Sequence, residues 1–97
     1  MKITCSCGAT IHDGTDALPH KGHAIADRDW GPFWEALDAA LARPRAPAAM
    51  AMELRRKASA RRMWECRTCG RLWIDRADGG LLSYAPEPAR VNKVFEQ

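Results

Sequence analysis

The clearest chemistry in this chain belongs to its cysteines. They fall in two short stretches, Cys5-Ser6-Cys7-Gly8 and Cys66-Arg67-Thr68-Cys69-Gly70, and the sequence holds no others. Four thiolates in two close pairs are what a tetrahedral zinc ion takes, with Zn–S bonds of about 2.3 Å. Each pair is followed at once by glycine. A chain that turns sharply beneath a metal often passes through positive φ, which glycine tolerates at little steric cost. Such a turn also aims backbone N–H groups at the sulfurs and offsets their charge. The expectation is one structural Zn2+ held by Cys5, Cys7, Cys66 and Cys69. All four positions are then filled, so no site remains for a reacting water.

Two other readings compete for the same residues. A disulfide between Cys5 and Cys7 would be badly strained, whereas cross-pairing of the two stretches is geometrically allowed. A redox role for Cys66 and Cys69 calls for a pair at the start of a helix in a βαβ context. Here Met63-Trp64-Glu65 before the pair and Leu72-Trp73-Ile74 after it read as strands, which disfavours that role.

These motifs resemble the zinc-ribbon family, in which two knuckles on β-hairpins close one metal site. The resemblance covers residues 1–14 and 62–86 and implies that the four cysteines are the ligands. The first knuckle departs from the commoner Cys-x-x-Cys by being one residue shorter. The implied fold class is α+β: a small zinc-ribbon sheet with an inserted pair of α-helices. Zinc ribbons serve many tasks, so the resemblance implies fold and metal rather than function.

The elements that must position the cysteines follow from the rest of the chain. Its 97 residues make a single domain with a modest core, to which a structural metal would add much. Lys2-Ile3-Thr4 and Ala9-Thr10-Ile11 flank the first knuckle as a hairpin. Residues 13–29 are rich in turn formers and read as loop, with an extended piece at Ala24-Ile25-Ala26. His12, His20 and His23 fall near or within this stretch, and a second metal site from His20 and His23 is the weaker alternative to ordinary polar roles.

Residues 27–61 read as the helical insertion. Trp30, Phe33, Trp34, Leu37, Ala40 and Leu41 share one helical face. Asp29 is placed to cap that helix, with Pro32 in its first turn. Trp34, Leu37 and Leu41 are expected in the core against the ribbon's sheet, and Trp30 and Phe33 are favoured there over an exposed binding surface. Arg43-Pro44-Arg45-Ala46-Pro47 breaks the helix. A second helix is expected from Ala48 to about Arg61, with Met50, Leu54 and Ala58 as a thin apolar stripe. Arg55, Arg56, Lys57, Arg61 and Arg62 form its basic remainder. Arg71 to Asp75 leads out of the second knuckle, Asp78-Gly79-Gly80 turns, and Leu81 to Ala85 is a further strand ended by Pro86 and Pro88. Residues 89–97 are a tail that Val91, Val94 and Phe95 would dock as a helical turn.

Charge is segregated. The formal net charge is +3, from −3 over residues 1–42, +7 over 43–76 and −1 over 77–97. Such a field suits steering of a charged partner. No stretch approaches the roughly 18 apolar residues of a membrane span, and the N-terminus lacks the apolar run of a secretion signal. A cytoplasmic protein with reduced cysteines is expected.

Several chemistries are missing. There is no His-x-Glu of the deaminase type, no Walker loop and no Gly-x-Ser-x-Gly elbow. The dense acidic group Asp13, Asp16, Asp27 and Asp29 is explained by turns and caps before catalysis. The expected role is therefore binding, not catalysis. A protein partner is favoured, met through Asp27, Asp29, Trp30, Phe33 and Glu35. In size and layout the chain is loosely similar to small bacterial adaptor or immunity proteins encoded beside toxins, whose acidic faces mimic nucleic acid. The alternative is nucleic-acid binding through the basic 43–76 segment, with Arg55, Arg56 and Arg61 on phosphates.

Overall fold

Lys2–Thr4 (β1) and Thr10–His12 (β2) each place one isoleucine inward between two outward residues. They pair antiparallel with Ile3 opposite Ile11, and both side chains are buried. Each such burial contributes about 1.5–3 kcal/mol. The first cysteine pair sits in the turn between these strands. The computed structural model describes residues 1–87 and 94–95. Its remaining strands are Lys21–Ala24 (β3), Arg61–Glu65 (β4), Leu72–Asp75 (β5) and Leu81–Tyr84 (β6). These form a four-stranded sheet in the order β3-β4-β5-β6. The second cysteine pair lies in the β4–β5 turn, where Trp64 faces Trp73 and Glu65 faces Leu72. The fold is α+β, with two small sheets and two helices.

The chain divides into two compact units, residues 1–23 with 61–97, and residues 24–60. The core of the first is Ile3, Cys5, Ile11, Trp64 and Cys66, with Ala9, Cys69, Trp73 and Leu81 packed against it. Trp64 is 0% exposed. Cys5 and Cys66 are part of this core, and Cys69 packs against it.

The second unit is a helical hairpin of Asp27–Ala42 (α1) and Pro47–Ala58 (α2). Its boundaries correct several expectations. α1 begins earlier than a cap at Asp29 allows, because the Ala26 carbonyl already accepts from the N–H groups of Asp29 and Trp30. Asp29 therefore lies within the first turn, and Pro32 falls in the interior of the helix. The break after Ala42 is where expected, and Pro47 opens α2, where its missing N–H costs nothing. α2 stops at Ala58, since Ser59 takes a left-handed φ of 45° and its hydroxyl bonds back to the Arg56 carbonyl. Arg61 and Arg62 consequently belong to β4, not to the helix.

Trp34, Leu37 and Leu41 do not form a core. Trp34 is 44% and Leu41 72% exposed, Leu37 is half-buried, and Ala40 is the buried residue of the two helices. Ala40 is buried and Phe33 and Leu37 are half-buried, while Trp30, Trp34 and Leu41 along the same stripe of α1 stay exposed. The extended piece also lies elsewhere, at Lys21–Ala24 instead of Ala24 to Ala26. Glu65 fixes it by donating its backbone N–H to the His20 carbonyl over 2.8 Å. Among the described residues, no helix is long and apolar enough to cross a membrane.

Candidate metal centre

The two knuckles are built alike despite their unequal spacing. In the first, the Cys5 N–H bonds the Ala9 carbonyl (2.8 Å) and the Gly8 N–H returns to the Cys5 carbonyl (2.9 Å). In the second, the Cys66 N–H bonds the Arg71 carbonyl (2.9 Å) and the Gly70 N–H returns to the Cys66 carbonyl (2.9 Å). The closing bond spans three residues in one and four in the other. Dropping one residue tightens the turn without changing its plan. Gly8 and Gly70 have φ of 95° and 78°, a region that other L-residues enter only with strain.

The turns bring all four thiols together. The Sγ atoms of Cys5, Cys7, Cys66 and Cys69 lie within 4.8 Å of one another. Cys5 Sγ is 3.6 Å from Cys69 Sγ, and Cys7 Sγ is 3.6 Å from Cys66 Sγ. These separations far exceed an S–S bond of about 2.05 Å, and the cysteines are free thiols. Cys5 and Cys66 are buried, Cys69 is half-buried and Cys7 is exposed. Such a cluster can hold one metal ion, and it is the only such grouping of His, Cys, Asp and Glu among the described residues.

Donors around the sulfurs prepare them for the anionic form. The Trp73 indole N–H points at Cys5 Sγ over 3.4 Å, and Arg71 Nη1 lies 3.9 Å from Cys69 Sγ. Burial pushes the Cys5 thiol up, but the Cys7 backbone N–H, the Trp73 indole and the neighbouring thiols outweigh it and bring the value down to about 6. Burial pushes Cys69 up to about 11; the Arg71 N–H opposes this, while Cys5, Cys66 and Cys7 add to it. Crowded thiols cannot all ionise without a cation among them.

Buried polar groups hold the knuckles in place. Trp64 donates its indole N–H to Asp13 Oδ2 (2.9 Å), and Lys21 Nζ lies 2.7 Å from the same oxygen. Lys21 and Arg62 sit over the Trp64 ring, 5.8 and 5.2 Å from its centroid. Glu65, next to Cys66, is 1% exposed. Its carboxylate accepts the N–H groups of Val94 (2.5 Å) and Phe95 (3.4 Å). The expected helical turn in the tail includes Val91, which lies outside the described residues. Sequence reasoning missed Asp13, Glu65, Arg71 and Trp73 as supports of the site. Only Trp73, four positions beyond Cys69 on a strand, carried a signal.

The other candidates are dispersed. Asp27, Asp29, Trp30, Phe33 and Glu35 lie on α1, Arg55 and Arg56 on α2, and Arg61 at the start of β4. Trp30 and Phe33 both meet Trp34 edge-on at 5.5 Å between ring centroids. Asp13, of the dense acidic group, is engaged by Lys21 and Trp64. His20 Nε2 bonds the His12 carbonyl at 2.8 Å, and no histidine joins a metal-holding group among the described residues.

No curated protein matches the chain. No solved structure matches it either. One family model spans residues 1–95, and the chain belongs to that family, described as a domain of unknown function, DUF8617.

Proposed function

We propose that the protein is a non-catalytic zinc module of the ribbon type, cytoplasmic, that binds a macromolecular partner. The ion is Zn2+, one per chain, ligated by Cys5, Cys7, Cys66 and Cys69. Zn–S bonds of about 2.3 Å in a tetrahedron put the sulfurs about 3.8 Å apart, close to the 3.6 Å of the Cys5–Cys69 and Cys7–Cys66 pairs. An all-thiolate set also favours zinc over harder cations. Four ligands leave no position for substrate, so the ion is scaffold.

The partner is a protein, in the manner of an adaptor or an immunity-type neutraliser of a toxin. The observation that carries this reading is the aromatic cluster of Trp30, Phe33 and Trp34, of which Trp30 and Trp34 stand nearly half exposed on α1. Exposed aromatics beside Asp27, Asp29 and Glu35 have the makeup of a protein contact. Nucleic-acid binding ranks behind it. Arg45 and Arg62 form ion pairs with Glu53 and Asp75, and Arg71 faces Cys69, so part of the basic segment serves the fold.

Affinity capture on the tagged, metal-loaded chain tests the reading. Wild type is expected to retain one dominant protein, and Asp27→Lys/Asp29→Lys/Glu35→Lys is expected to release it. Retention by that variant contradicts the reading. Steeply salt-dependent binding of duplex or single-stranded DNA, lost on Arg55→Glu/Arg56→Glu/Arg61→Glu, would transfer the role to nucleic acid.

A further inference from the structure

The helical hairpin is short of core. Across residues 24–60 it buries Ala40 and leaves Trp30, Trp34, Leu41 and Met52 exposed. Trp30, Trp34 and Leu41 stand at i, i+4 and i+11, on one line along α1. Helices of this length are marginal in water without a packed face. The open face of α2 is different. It presents Met52 between Arg55 and Arg56, all three exposed.

The two helices carry opposite charge. α1 holds Asp27, Asp29, Glu35 and Asp38 against Arg28, while α2 holds Arg55, Arg56 and Lys57 against Glu53. Local pairs use some of these: Arg28 lies near Asp29, and Arg45 pairs with Glu53. Glu35, Asp38, Arg55 and Arg56 have no ion-pair partner among the described residues. Residues 24–60 balance six basic against five acidic side chains, so two copies would not repel one another strongly.

We propose that the hairpin docks on the hairpin of a second copy of this chain, with α1 of each against α2 of the other. The argument is self-complementarity. One hairpin carries both an acidic, aromatic face and a basic, methionine-bearing face. A two-fold axis brings the two together twice. Arg55 and Arg56 then meet tryptophan faces and the carboxylates of Glu35 and Asp38, and the Met52 sulfur meets an aromatic edge. Four helices enclose the apolar stripe that two leave open. The inference rests on the hairpin being the partner surface and names the partner that surface takes. Any foreign protein then meets a dimer.

Light scattering on the metal-loaded full chain at micromolar concentration is the test. Wild type is expected at twice 10.8 kDa. Glu35→Lys/Asp38→Lys and Arg55→Glu/Arg56→Glu are each expected to dissociate at least about tenfold more readily, by like-charge apposition. Mixed in equal amounts, the two variants are expected to recover a heterodimer, because both contacts in the mixed pair are again between opposite charges. Leu41→Lys is a second, independent variant and is expected to be monomeric. A monomeric wild type, a Leu41→Lys chain that dimerises like wild type, or variants that remain monomeric when mixed would each overturn the proposal. A monomeric wild type that still retains a foreign protein through Asp27, Asp29 and Glu35 overturns self-association and leaves the partner-binding reading standing.

Discussion

Trp64 and Asp13 are 51 positions apart, and the indole N–H of one meets Oδ2 of the other over 2.9 Å. This bond ties the end of the first hairpin to the centre of the four-stranded sheet without passing through the metal. Asp13 is further fixed by backbone bonds, its N–H to the Met1 carbonyl and its own carbonyl to the terminal ammonium. Asp13→Ala strands a buried indole donor and removes the partner of Lys21. We expect it to cost about 2–3 kcal/mol. Trp64→Phe keeps most of the packing and leaves Asp13 with Lys21, so a smaller loss of about 1–2 kcal/mol is expected. Urea denaturation of the metal-loaded protein reads both.

Acid should weaken the Arg62–Asp75 link in a predictable window. Burial raises the Asp75 carboxyl, but the guanidinium and backbone N–H of Arg62 outweigh it and hold it below the ordinary carboxylate value. A lowered folded pKa gives stability that is present above the unfolded value, about 3.9, and disappears as pH falls through the folded value. The stability difference between wild type and Asp75→Asn should be constant from neutral pH down to about 4 and shrink below it. Because both chains lose metal in acid, the difference, not either curve alone, is the measurement. A gap that stays constant well below that point would contradict the assignment.

Gly8 and Gly31 should respond differently to the same change. A Cβ on either meets no atom within 4 Å outside the adjoining residues and, for Gly31, its own helix backbone. Gly8 has φ of 95°, whereas Gly31 lies inside α1. Gly8→Ala is expected to destabilise by about 1–2 kcal/mol, the cost of left-handed backbone for an L-residue. Gly31→Ala is expected to stay within about 0.5 kcal/mol of wild type, because the gain in helix propensity is offset by the crowding of a Cβ against the ring of Pro32. Paired thermal melts check the contrast.

Glu65 governs the segment around Phe95. The Phe95 ring lies so close to Gly22 that a Cβ there would fall 2.5 Å from its Cζ. Glu65→Ala removes the acceptor of two backbone N–H groups, and Gly22→Val fills the space of the ring. Either change is expected to speed amide exchange at Val94 and Phe95 by about tenfold or more, the equivalent of one hydrogen bond of about 1.5 kcal/mol. Unchanged exchange rates would show that these contacts do not hold the segment.

The knuckles were legible because their information is local. Cysteine, spacing and the following glycine prescribe each turn, and the structure closes both with the same backbone bonds. β3 was not legible. Lys21-Gly22-His23-Ala24 has no β-branched residue, and its pairing is set by Glu65, far away in sequence. The periodicity of Trp30, Trp34, Leu37 and Leu41 marked a helix correctly but not what that face would touch. The same pattern fits a core and an open surface; here it buries Ala40 and leaves Trp30, Trp34 and Leu41 exposed. The second helix was expected to run on to about Arg61, with Arg61 and Arg62 in its basic remainder. The left-handed Ser59 and the bonds from Arg62 to Asp75 decide for strand.

Metal content tests the central claim most directly. Protein purified under reducing conditions, without added metal, is expected to carry one equivalent of zinc by elemental analysis. Stripping that zinc with a strong chelator should abolish amide protection at Cys5, Cys66 and Trp64 together, because Cys5 and Cys66 are part of the core they clip. Substoichiometric metal in fully folded protein, or a core that keeps its protection after the zinc is gone, would contradict the account.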